Sequence, residues 1–70
     1  MPSVCPEDLR SHVDLAIEDA WELRARIFKT QLIAKQLGRD DLDATFETLW
    51  YGLQWIIEKL NRVYDDLWKE

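Results

Sequence analysis

The sequence predicts an all-α fold, a two-helix antiparallel hairpin that dimerises into a four-helix bundle. Three observations lead there. Apolar residues recur at alternating steps of four and three along two long segments, a single glycine-centred break separates them, and the apolar faces are wider than one neighbouring helix can hide. The 70 residues, 47% of them hydrophobic and with only two Gly and two Pro, carry the payload of a folded helical domain. A chain of this length buries only about 60% of its unfolded surface, so association is expected to help it.

Residues 1–5 read as a disordered lead, and residues 6–70 as one helical-hairpin domain. Pro6 suits the first helical position, where its missing N–H is not needed, and Glu7 and Asp8 place negative charge at the positive end of the helix dipole. The first helix is predicted over 6–37. Its apolar stripe is Leu9, Val13, Ala16, Ala20, Leu23, Ile27, Thr30, Ala34 and Leu37, widened by Ile17, Trp21 and Phe28.

Gly38-Arg39-Asp40-Asp41 is predicted to be the corner. Gly38 offers the left-handed position after a helix, and Asp40, with Asp43 three residues on, offers a cap for the next. The second helix is predicted over 41–68. It carries Leu42, Phe46, Leu49, Leu53, Ile56, Leu60, Val63 and Leu67, flanked by Trp50, Ile57, Tyr64 and Trp68. The residues expected to form the hairpin core or the dimer contact are Leu42, Phe46, Leu49, Trp50, Leu53, Ile56, Ile57, Leu60, Tyr64 and Leu67, with Trp21, Leu23 and Ile27 from the first helix.

The net charge of −5 disfavours nucleic acid and anionic membrane surfaces, both of which select clustered Lys and Arg. The acidity sits mainly in the second half. Positions 6–37 hold six acids and five bases, positions 40–70 eight acids and three bases. One cysteine, Cys5, permits no internal disulfide, and the N-terminal MPSVCPEDLR lacks the apolar core of a signal peptide. A cytoplasmic protein is expected, without a membrane span.

Two short motifs resemble known families. Trp50-Tyr51-Gly52 in LWYGLQW resembles the W-x-G turn of small secreted helical-hairpin proteins, which implies a hairpin corner at Gly52 and export. Glu18-Asp19-Ala20-Trp21-Glu22 resembles the E-E-x-x-E half of the magnesium signature of all-α nucleotide pyrophosphatases, with Asp40-Asp41-Leu42-Asp43 as a degenerate second half. That resemblance implies Mg²⁺ held by Glu18, Asp19, Glu22 and Asp43, activating water against a phosphoanhydride. The residues read on their own point elsewhere. The heptad passes through position 52 without a phase break, and the acids at 14, 18 and 22 fall opposite the stripe, where they can pair with Arg10, Arg26 or Lys29.

No enzyme, metal or cofactor is expected. His12 stands alone, and there is no phosphate loop or cysteine pair. The candidate partner-binding residues lie on the outer side of the second helix. Tyr51 and Trp55 form an i, i+4 pair opposite Leu53, Arg62 follows one heptad after Trp55, and Gly52 lies between this patch and the core. On the first helix Arg24 and Gln31 fall inside the stripe, where a guanidinium needs a carboxylate or carbonyl partner or must reach the bundle edge. Leu15 and Ile33 fall outside it. The expected function is a small acidic protein–protein interaction module, a regulator, inhibitor or chaperone-like adaptor, acting on another protein as a homodimer.

Overall fold

The computed structural model describes residues 5–69. Two helices, α1 (Pro6–Gln36) and α2 (Asp40–Trp68), pack antiparallel along their full length, and the described residues hold no strand. The hairpin is a rod of 54 × 19 × 17 Å. Its radius of gyration is 16.3 Å, against about 11 Å for a compact domain of this length.

Each helix end has a local cause. Pro6 takes the first helical position, Cys5 precedes it as N-cap in extended conformation, and the Cys5 amide donates to Asp8 Oδ2 at 3.4 Å. Cys5 is therefore the start of the helical unit; the rest of the expected disordered lead, residues 1–4, lies outside the described residues. At the other end Gly38 adopts φ +71, the Arg39 amide donates to the Ala34 carbonyl at 2.9 Å, and the Gly38 amide donates to the Lys35 carbonyl at 3.0 Å. This pair of bonds is a Schellman motif, and glycine enters the left-handed region without a Cβ penalty.

One expected cap is corrected. The N-cap of α2 is Arg39, and Asp40 already stands in the first turn with Asp41 and Asp43. The three carboxylates oppose the helix dipole directly, and Arg39 pairs both its Nε and an Nη with the two Asp41 oxygens at 3.2 and 3.1 Å. That guanidinium holds the exposed Asp41 carboxyl below its ordinary value, helped by the Leu42 backbone amide.

The seam between the helices is made of four rows with heptad spacing. From α1 come Val13, Ala20, Ile27 and Ala34, with Arg10, Ile17, Arg24 and Gln31 beside them; from α2 come Phe46, Leu53, Leu60 and Leu67, with Asp43, Trp50, Ile57 and Tyr64. None of these residues is exposed, and Ile57, at 1% exposure, is the best covered. The seam is not centred where the sequence stripe is. Each helix is turned by one heptad position, about 50°, so that a partly polar row enters the contact and half of the stripe stays outside. Small Val13, Ala20 and Ala34 let the backbones approach, and Arg24 and Gln31 find hydrogen-bond partners across the seam.

Candidate functional site

Turning both helices in the same sense uncovers one long side of the hairpin. Leu9, Ala16, Leu23, Thr30 and Leu37 form the row next to Val13 and Ala20, and Leu42, Leu49, Ile56 and Val63 form the row next to Leu53 and Leu60. No charged residue occurs in either row. Leu9, Leu23, Leu37, Leu49, Ile56 and Val63 are all exposed. Leu23, Leu49 and Ile56 were expected in a core or dimer contact, and within a single hairpin they belong to no core.

The opposite side is aromatic and polar. Trp21 is also exposed and stands on this side, in the row beside Ile17 and Arg24 and one position beyond the hairpin seam. There it holds Arg24, whose Cζ lies 4.0 Å from the Trp21 ring centroid and 4.8 Å from that of Trp50. Arg24 Nη1 donates to the side-chain carbonyl of Gln54. Its partner is thus an amide flanked by two indoles, and no carboxylate pairs with it among the described residues. Further along, Gln31 Nε2 donates to Asp43 Oδ1 at 2.7 Å. At the far end Arg10 covers the Trp68 ring at 4.7 Å. Shallow depressions between these groups are lined by Phe28, Trp50 and Tyr51 with Lys35 and Glu47 at the rim.

The residues expected to bind a partner are displayed on α2. Tyr51 is 61% and Trp55 59% exposed, and Gly52 and Arg62 are exposed beside them. They do not form one flat patch. Tyr51 leans toward the aromatic side, edge-on to Trp50 at 5.2 Å, whereas Trp55 points away from α1 with the Lys59 ammonium 5.4 Å from its ring centroid. Gly52 lies within α2 and a Cβ there would meet nothing within 4 Å, so the close backbone approach that a glycine permits is not used inside this chain.

Neither short motif forms, within this hairpin, the feature it resembles. The corner is at Gly38, fourteen residues before Gly52, so Trp50-Tyr51-Gly52 is mid-helix sequence and makes no turn. Glu18, Asp19, Glu22 and Asp43 are not brought together: among the described residues no group of three His, Cys, Asp or Glu side chains is placed to hold a metal. Glu22 instead pairs with Arg26 at 3.7 Å and Glu7 with Arg10 at 3.9 Å, as helical neighbours. His12 is exposed on α1.

No described helix is long and apolar enough to cross a membrane. Compared with protein families, curated proteins and solved structures, the chain matches none. Its function is therefore argued from its surfaces. Sequence reading missed the Trp21–Arg24–Trp50 stack, although Arg24 one turn after Trp21 was a usable signal for it.

Proposed function

We propose that this chain is half of a homodimeric four-helix bundle that serves as a non-enzymatic protein–protein interaction module in the cytoplasm, a regulator, inhibitor or chaperone-like adaptor. The carrying observation is the uncovered, charge-free side. In a square bundle each helix directs its stripe at the central axis, about 45° from either neighbour, which is close to the turn of about 50° between stripe and seam in this hairpin.

The area agrees. A folded monomer of 8.4 kDa is expected to expose about 4,600 Å², and the hairpin exposes 5682 Å². The excess, on the order of 1,000 Å², is what one subunit buries in a stable homodimer. Covering that side with a second copy leaves the acidic outer face of α2 free, with Tyr51 and Trp55 as anchors for a different protein and Arg62 and Gly52 beside them.

The partner reading is tested by comparing wild-type protein with a Tyr51→Ala/Trp55→Ala variant, both immobilised and exposed to soluble extract of the source cells. Proteins retained by the wild type and reduced at least tenfold on the variant, with helicity and mass unchanged, are the expected result. Equal retention on both would overturn the site, and loss of helicity would show that the rings hold the fold.

A further inference from the structure

Two hairpins can close over the aliphatic side in two ways that keep all neighbouring helices antiparallel. With the dyad along the bundle, α1 lies against α2 of the second copy and both turns are at one end. With the dyad across the bundle, α1 lies against α1, α2 against α2, and the turns are at opposite ends. The rows bordering the aliphatic side distinguish them: His12, Asp19, Arg26 and Ile33 on α1, and Thr45, Gly52, Lys59 and Asp66 on α2.

The Arg24–Gln54 and Arg10–Trp68 contacts, with Gln31–Asp43 and Arg24–Trp50, set which residues share a height along the rod to within about half a helical turn. Carried to the first arrangement, that register sets Asp19 opposite Lys59 of the second copy and His12 opposite its Asp66. Arg26 falls opposite Gly52, where no side chain obstructs the long guanidinium. Small Ala16 and Thr30 meet bulky Val63 and Leu49, and Leu23 meets Ile56. In the second arrangement Asp19 faces Arg26 of the second copy's α1, while on α2 Lys59 faces Gly52 and Asp66 faces Thr45, so neither α2 charge has a partner. The first arrangement gives charged partners to both rows and the second to the α1 row alone, so the two arrangements are unequal.

We infer that the second copy docks with its α2 against α1, with the dyad parallel to the helices and both turns at one end. This rests on the homodimer proposed above. The arrangement points the two Trp55 side chains in opposite directions, so each dimer presents two separate partner sites on opposite flanks. The alternative would merge them into one composite patch.

Cys5 is the sole cysteine and is exposed at the start of α1, so it accepts a nitroxide label without any substitution. Dipolar spectroscopy of the labelled dimer, with its mass checked by sedimentation on the same sample, reads the orientation. The labels are expected about 15–30 Å apart, from a bundle diagonal of ~14 Å plus the label arms. A separation of about 45 Å or more, the length of α1, in a dimeric sample would overturn the orientation and leave the dimer standing. A mass of 8.4 kDa would overturn both. A charge swap gives a second reading. Asp19→Lys should weaken the dimer about tenfold, and Lys59→Asp in the same chain should restore it; restoration by Arg26→Asp instead would indicate the crossed dyad and contradict the inference.

Discussion

The two long sides of this hairpin are built from opposite kinds of residue. One side is aliphatic and charge-free, from Leu9 and Leu23 to Ile56 and Val63, and the hairpin leaves it exposed. The other is stitched by Arg24 between two indoles, by Gln31 to Asp43, and by Arg10 over Trp68. The difference teaches how a chain this short allocates its groups. Directional polar contacts hold the two helices in register on one side of the seam, while on the other much of the apolar stripe stays exposed.

The strongest way to break this contrast is to charge the aliphatic side. Leu23→Asp with Ile56→Asp should move the dimer to monomer, weakening association by more than 100-fold as read by sedimentation, because a carboxylate sealed in an apolar interface has no partner. Leu15→Asp, equally exposed but on the back of α1, should change stability by less than about 0.5 kcal/mol. If the two changes behaved alike, the aliphatic side would have no special role.

The polar side answers to Arg24. Arg24→Ala removes two cation–π contacts and the bond to Gln54, and should lower stability by about 1–3 kcal/mol in urea unfolding without changing the subunit mass. Arg24→Lys should fall between, since a lysine keeps the charge and loses the planar stack. An unchanged unfolding midpoint would show the stack to be incidental.

The glycines sharpen the comparison at smaller scale. Gly38 is held at φ +71, so Gly38→Ala should cost about 1 kcal/mol. Gly52 is helical with open space around it, so Gly52→Ala should gain roughly 0.8–1 kcal/mol and raise Tm by about 4–8 °C. A loss at Gly52→Ala would mean that another backbone or side chain, such as Arg26 of a second copy, occupies that space.

The smallest effect belongs to the turn. Arg39→Ala should let the Asp41 carboxyl rise toward its ordinary value, followed by NMR titration of Asp41. The sign follows from the depressed folded value. The small stabilisation is present above the carboxylate's unfolded value and is lost as pH falls through the lower folded one. In the variant that loss should shrink to the part that the Leu42 backbone amide sustains.

Much of this was legible in the residues, and the rest fails for a definable reason. Gly38 and Pro6 announce the helix ends, because each is chosen for a backbone position that few residues accept. The 4-3 stripe announces two helices and places Gly52 inside the second. What the stripe does not state is which neighbour it faces. It points to one side of the neighbouring helix, so reading it as the intrachain seam leaves out Asp43 and includes Leu9, Leu23, Leu37, Leu49, Ile56 and Val63, which stay exposed in the hairpin. The cap at Arg39 was missed for a different reason. With acids at 40, 41 and 43, the helix dipole is satisfied one residue earlier than an aspartate cap requires.

The central claim is that the aliphatic side is an interface between two copies of this chain. Sedimentation equilibrium of the unmodified protein over a wide concentration range tests it most directly. The account predicts a species of twice 8.4 kDa that persists to low micromolar concentration; a well-folded helical monomer of 8.4 kDa throughout that range would contradict it.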